Sequence, residues 1–97
     1  IGFANDTTNY AENSGGGIYA LNSIVAMTNA NVFSCYAGND GGAIYADGSE
    51  IILYNCEFGH TNDDYTNDSG SDGGAVNTEN GSLSISVCTF QNNHTTD

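Results

Sequence analysis

Residues 41–54, with the sequence GGAIYADGSEIILY, decide the fold because the chain contains related versions of them on both sides. The earlier version is GGGIYALNSIVAM at residues 15–27, and the later one is GGAVNTENGSLSI at residues 73–85. Corresponding residues lie 26 positions apart between the first two versions and 32 apart between the last two. This spacing predicts three repeats of one structural unit, with extra length tolerated at one place.

Each repeat combines alternating apolar residues with turn-forming ones. Ile51 and Leu53 alternate with their neighbours, and so do Leu83, Ile85 and Val87. Alternation predicts strands, while the many Asn, Gly, Ser and Thr residues oppose helix and suit tight bends. The skeleton of a leucine-rich repeat is missing. We therefore predict an all-β chain folded as a parallel β-helix, a solenoid of about three coils.

The repeats predict the boundaries of the structural units. We expect a single module over residues 1–97, with repeats at about 3–32, 33–57 and 58–89 and a partial repeat at 90–97. Neither end has the pattern of a capping helix, so we expect uncapped ends. Uncapped ends predict either a fragment of a longer β-helix or subunits that stack end to end.

Stacked coils place equivalent residues of successive repeats above one another, about 4.8 Å apart. We expect three such columns in the core: Phe3, Phe33, Phe58 and Phe90; Ile18, Ile44 and Val76; and Cys56 over Cys88. The three cysteines are an odd number without a C-x-x-C pair, so we interpret them as small buried thiols rather than zinc ligands or a disulfide.

The charge of the chain excludes several classes of partner. It has no Lys and no Arg against 12 acidic residues, for a formal net charge of −12. Without cations the chain cannot neutralise phosphates, so we expect no nucleic-acid binding, and an anionic membrane surface is also disfavoured. No apolar run approaches the roughly 20 residues of a spanning helix, so we expect no membrane insertion.

Catalytic motifs of β-helix enzymes are incomplete in this sequence. Pectate-lyase-like enzymes use a basic residue as proton acceptor, and the chain has none. Polygalacturonase-like enzymes combine paired carboxylates with G-H-G and R-I-K segments, of which Asp63-Asp64 and Gly59-His60 are only partial matches. No Ser or Cys lies in a known nucleophile motif. We therefore predict no enzyme activity, no catalytic residues and no cofactor-binding residues.

Oxygen-rich turns and sequons predict two kinds of attachment. Flexible acidic turns suit calcium, and the candidate ligands are Asp40, Asp68 and Asp72, although ordinary Asx-rich turns explain the same residues. N-x-[ST] sequons occur at Asn5, Asn67, Asn80 and Asn93 and predict N-linked glycans if the chain is secreted by a eukaryote.

The blocks G-G-A-[ILV] at residues 41–44 and 73–76 and F-x-x-N at residues 90–93 resemble the polymorphic outer membrane protein repeats of chlamydiae. The first repeat departs from this pattern with Gly17 in place of Ala, and F-x-x-N is incomplete after Phe33 and Phe58. The resemblance implies a right-handed parallel β-helix, surface display and adhesion, but it transfers no binding residue.

We therefore expect an extracellular structural protein, a β-helix subunit or fragment of a surface filament or stalk built by end-to-end stacking of copies. One alternative is an adhesin module that binds a glycan or a protein, in which Tyr19 and Tyr45 form an outward aromatic strip. A second alternative is a calcium-binding acidic surface repeat.

Overall fold

The computed structural model describes residues 9–61 and 66–95, which contain strands and turns but no helix. It follows that this part of the chain holds no helix long and apolar enough to cross a membrane. The strands of the described ranges are β1 (Asn9–Ala11), β2 (Ile18–Leu21), β3 (Ile24–Thr28), β4 (Asn31–Val32), β5 (Cys35–Ala37), β6 (Ile44–Asp47), β7 (Glu50–Tyr54), β8 (Glu57–Gly59), β9 (Asp68–Ser69), β10 (Val76–Glu79), β11 (Ser82–Ser86), β12 (Thr89–Gln91) and β13 (His94–Thr95).

The strands form four sheets in which all neighbours are parallel. Their orders are β1-β5-β9-β13, β10-β6-β2, β11-β7-β3 and β12-β8-β4. The chain passes through the four sheets in the same order each time. We call each passage a circuit: β1 to β4, β5 to β8, and β9 to β12. The prediction of an all-β chain with parallel strands in stacked sheets is confirmed.

The strand register locates the extra residues of the longer repeat. Ile18 pairs with Ile44, and Ile44 pairs with Val76. The number of residues between paired positions of neighbouring strands therefore equals the spacing of the sequence repeats. The amide of Asn92 still reaches the carbonyl of His60 across the longer offset, whereas β9 and β13 return to the shorter one. The extra residues therefore lie between His60 and residue 67, inside the interval that the sequence predicts.

In two of the three predicted core columns, the equivalent residues of successive repeats lie next to one another. Ile18, Ile44 and Val76 stand in register, and the backbone N–H of Cys56 points at Sγ of Cys88, 3.4 Å away. Like side chains stacked in this way bury a continuous apolar interior, which one circuit alone cannot do. The buried interior consists of Ala20, Val32, Cys35, Ala43, Ile44, Ala46, Ile51, Leu53, Cys56, Phe58 and Ala75.

The phenylalanine column is wrong by one residue in the first circuit. Phe58 and Phe90 stack as expected, with ring centroids 4.9 Å apart and an interplanar angle of 7°. Val32, however, is the residue that pairs with Phe58. Phe33 follows the end of β4, and its half-buried ring packs against His60. Phe3 lies outside the described residues.

Left-handed backbone residues turn the chain at the corners between strands. Glycine and asparagine adopt positive φ at low steric cost, which explains why these types recur at the same places. The corner residues with positive φ are Gly15, Gly41 and Gly73; Asn22, Gly48 and Asn80; Asn29, Asn55 and Val87; and Ser34 and Asn92.

The second glycine of each Gly-Gly pair has a different role from the first. Gly41 turns the chain with φ of 65°. Gly42 lies so close to the carbonyls of Gly74 and Asp68 that a Cβ atom would overlap with both oxygens. The first glycine of the pair therefore makes the bend, and the second allows neighbouring circuits to approach each other closely.

Val87 has a positive φ at a corner where the other circuits have Asn29 and Asn55. Replacing it tests whether asparagine is favoured there. Its φ is 52°, a conformation that costs a β-branched residue about 1–2 kcal/mol, and its side chain is 74% exposed. In the same column Asn55 donates a 2.7 Å hydrogen bond to Asn29. We expect Val87→Asn to raise the free energy of unfolding by about 1 kcal/mol in chemical denaturation. Val87→Ala, which offers no amide, should give a smaller gain, and a loss of stability in Val87→Asn would contradict the account.

Candidate functional site

The third circuit carries an uncovered apolar surface. Leu83, Ile85 and Phe90 are between 41% and 45% exposed, and we call these three residues the apolar edge. Their column neighbours one circuit below are fully buried core residues: Ile51, Leu53 and Phe58. The apolar edge therefore consists of core-type side chains that no other described strand covers.

A hollow of about 490 Å³ surrounds the apolar edge. Its apolar lining is completed by Ala75 and Val76, and its polar rim by Gln91, Asn92 and Asn93. β11 is the outermost described strand of its sheet, and an edge strand offers backbone groups for pairing with another strand. The surface thus combines apolar side chains with the backbone of a strand edge.

The opposite edge of the same sheet is β3, and it presents matching side chains. Val25 and Met27 of β3 pair with Ile51 and Leu53, in the two columns that end at Leu83 and Ile85. Both Val25 and Met27 are half-buried and pack against the core. Both edges of this sheet therefore present apolar side chains in the same two columns.

Tyrosines form stacked pairs on the outside of the sheets. The rings of Tyr19 and Tyr45 lie 5.2 Å apart with an interplanar angle of 25°. Tyr45 also donates a 2.8 Å hydrogen bond to the carboxylate of Glu79. That hydrogen bond, with desolvation and the negative charges of Glu79 and Asp47, raises the pKa of Tyr45 to about 12. Tyr45 is therefore a neutral, anchored ring at physiological pH.

A groove of about 580 Å³ runs beside the rings of Tyr19 and Tyr45. Its other lining residues are Ala11, the last residue of β1, and Glu12, Asn13, Ser14 and Gly15 of the corner between β1 and β2. An aromatic wall opposite carboxylate, amide and hydroxyl groups provides both an apolar face and hydrogen-bonding partners. The expected aromatic strip thus lies next to a concave surface.

Two hydrogen-bonded asparagines, which the sequence pattern did not predict, form a ladder at the corner after β8 and β12. Asn67 is fully buried, and its Nδ2 donates 2.9 Å hydrogen bonds to the carbonyl of Val32 and to Oδ1 of Asn93. Oδ1 of Asn67 accepts from the backbone N–H of Cys35 at 3.1 Å. Nδ2 of Asn93 in turn donates to the carbonyl of Phe58. The asparagine of F-x-x-N, Asn93, is therefore half-buried and hydrogen-bonded to the buried Asn67.

The ladder corrects the predicted glycan sites. Asn67 cannot carry a glycan in this fold because its amide is buried and fully hydrogen-bonded, so that prediction is wrong. Attachment at Asn93 would disturb the same ladder. Asn80 is exposed at a corner, where its Nδ2 donates to Asp47 at 3.1 Å. Asn5 lies outside the described residues.

The predicted calcium ligands do not converge on one point. The backbone N–H of Asp72 donates to the carboxylate of Asp40 at 3.1 Å. The carboxylate of Asp68 instead accepts from Thr66 and lies 3.1 Å from Nδ1 of His94. Within residues 9–61 and 66–95, no group of three or more His, Cys, Asp or Glu side chains could hold a metal ion. Calcium binding by the chain stays a prediction without a defined set of ligands.

Comparison of the chain with protein-family models, curated proteins and solved structures finds no match. The described part of the chain has two surfaces suited to binding, the apolar edge and the groove beside Tyr19 and Tyr45. The described part of the chain places core-type side chains on the first surface and stacked aromatic rings on the second.

Removing the Asn67 side chain tests whether the ladder holds the corner together. In Asn67→Ala the backbone N–H of Cys35 and the carbonyl of Val32 lose their buried partner. Each unsatisfied buried group costs about 1–3 kcal/mol, so we expect a loss of about 2–4 kcal/mol in the free energy of unfolding. Thr61→Ala, an exposed change near the same corner, is the control and should alter stability by less than about 0.5 kcal/mol. Equal effects of the two substitutions would argue against the ladder.

Proposed function

We propose that the chain is a segment of a right-handed parallel β-helix that acts as a structural element of an extracellular filament or stalk. The repeated passage through four parallel sheets supports the β-helix, because such a path has one direction of growth along its axis. The resemblance of the G-G-A-[ILV] blocks to surface-protein repeats supports display outside the cell. The single observation that carries the structural role is the apolar edge.

The apolar edge is covered by a second copy of this chain. β3 of the second copy pairs with β11 of the first, which extends the sheet by one strand in the same parallel direction. Val25 then lies over Leu83 and Met27 lies over Ile85, in continuation of their columns. A contact between different surfaces of identical chains does not close on itself, so repetition of it yields a filament.

The charge of the chain opposes this assembly and makes it dependent on conditions. Each copy contributes a net charge of −12 with no Lys or Arg to offset it. Covering an apolar side chain completely stabilises by at most about 1.5–3 kcal/mol, so a few such contacts compete with substantial repulsion. At physiological ionic strength, salt screens the repulsion between charges that lie more than about 8–10 Å apart. Stacking should therefore increase with both protein concentration and ionic strength.

A charge placed on the apolar edge should stop the assembly. We expect the wild-type chain to form particles that lengthen with concentration and salt in sedimentation and electron microscopy. Ile85→Asp buries a carboxylate in the contact and should keep the chain monomeric under the same conditions. The matched control is Ser84→Asp, because Ser84 is the exposed neighbour on the same strand and its side chain faces outward.

The control should assemble nearly as well as the wild type. Circular dichroism checks that both variants keep their strands, since Ile85 also packs over Leu53. A wild-type chain that stays monomeric at high concentration and high salt would refute stacking whatever the variants do.

The groove beside Tyr19 and Tyr45 favours a second function, that of an adhesin module which binds a glycan. The C–H face of a sugar packs on an exposed aromatic ring, and its hydroxyls hydrogen-bond to carboxylate and amide groups such as those of Glu12 and Asn13. Tyr45 is held in place by Glu79, so the platform is ordered before a ligand arrives. A strongly anionic sugar is excluded by the charge of the chain.

Substitution of Tyr19 tests the adhesin function on an array of neutral glycans. We expect Tyr19→Ala to weaken binding by about 5- to 30-fold, because loss of one ring face removes about 1–2 kcal/mol of contact. Tyr54 is an exposed tyrosine outside the groove, so Tyr54→Ala serves as the control and should bind like the wild type. Absence of binding by the wild-type chain to every glycan tested would exclude this function and leave the structural one.

A further inference from the structure

Tyr10 and Tyr36 form the most closely aligned pair of tyrosine rings in the described part of the chain. Their ring centroids lie 5.3 Å apart, and the ring planes differ by only 5°. The two residues are register partners on β1 and β5, so the sheet itself holds them side by side. Tyr10 is 67% exposed and Tyr36 is half-buried, which leaves the pair accessible from solvent.

We propose that Tyr10 and Tyr36 are a site of oxidative cross-linking, at which a carbon–carbon bond between the two rings joins the first circuit to the second. The co-reactant is hydrogen peroxide used by a haem peroxidase, a one-electron oxidant of phenols. This modification stands on the ring geometry alone and does not depend on end-to-end stacking.

The reaction balances without any group from the rest of the chain. Each phenol gives up one electron and one proton, and the peroxide accepts two of each and leaves as two molecules of water. The two phenoxyl radicals then form one bond between the ring carbons next to their hydroxyl-bearing carbons. The hydrogen on each of these carbons moves to the neighbouring oxygen, which restores two phenols.

The sheet register supplies what the coupling step needs most, which is proximity. Two radicals on separate molecules must meet, whereas two rings on paired residues are already neighbours, and such intramolecular reactions have very high effective concentrations. Only a tilt of the rings is required, and the exposed ring of Tyr10 has room for it.

Other tyrosines of the same chain provide internal references. Tyr19 and Tyr45 are equally close, but the hydroxyl of Tyr45 is hydrogen-bonded to Glu79, so coupling there requires loss of that hydrogen bond. Tyr54 is exposed but stands between Thr28 and Ser86 in its column. Tyr54 therefore has no tyrosine as a register partner within the described residues.

A covalent bond at this place would act on an outer strand of the sheet. β1 has three residues and, among the described strands, pairs with β5 alone. Short edge strands open easily because few interactions hold them. The bond between Tyr10 and Tyr36 would keep β1 paired with the second circuit.

The experiment treats the folded chain with peroxidase and hydrogen peroxide at low protein concentration, in the Ile85→Asp background so that assembly does not interfere. We expect monomers that have lost two hydrogens, dityrosine fluorescence, and a cross-linked peptide that contains Tyr10 and Tyr36 as the principal product. Tyr10→Phe should remove most of this signal, and Tyr54→Phe should leave it unchanged. Both substitutions delete one exposed hydroxyl, and circular dichroism confirms the fold.

Hydrogen exchange of the first strand gives a second readout. We expect slower exchange of the β1 amides after the reaction in the chain with Tyr10, and no change in Tyr10→Phe. The proposal is overturned if monomers form no dityrosine under conditions that couple free tyrosine, or if the principal cross-link joins other tyrosines. Because the background cannot stack, this result is independent of the outcome for the filament.

Discussion

The constraint on which the structure depends is the pairing of each residue with its equivalent in the next circuit. Parallel strands about 4.8 Å apart bring identical positions of successive repeats into contact, so a side chain must be compatible with a copy of itself. Ile18, Ile44 and Val76 satisfy this condition by burial, and Tyr19 and Tyr45 satisfy it by ring stacking. Charged residues satisfy it least well.

Stacked carboxylates show how the chain offsets that difficulty without any cation. Asp47 and Glu79 are register partners, and like charges in such positions destabilise a sheet. Each has a neutral hydrogen-bond donor beside it, since Tyr45 donates to Glu79 and Asn80 donates to Asp47. Neutral donors thus offset the repulsion between these two carboxylates without any lysine or arginine.

Much of the fold could be predicted from the sequence, because alternation and repeat spacing are direct consequences of strands in register. The isoleucine column follows from them. Phe33 was misplaced because it matches Phe58 in residue type, whereas the 26-residue spacing of the repeats puts Val32 over Phe58. A shift of one residue is enough to exchange inside and outside. The burial of Asn67 could not be predicted because a polar side chain is expected to be exposed. The extra residues also separate Asn67 from Phe58 by more than the spacing of F-x-x-N. The apolar edge depends on what is left uncovered, which no local pattern encodes.

The extra residues between His60 and residue 67 leave the rest of the molecule undisturbed. Hydrogen bonds resume on both sides of them, at the carbonyl of His60 and at the amide of Asn67, so the ladder restores the register regardless of the length in between. This corner is therefore a natural insertion point for foreign peptides. A sequence grafted there would be joined on both sides to strands held in register, and copies in an assembly would repeat it as a regularly spaced epitope array.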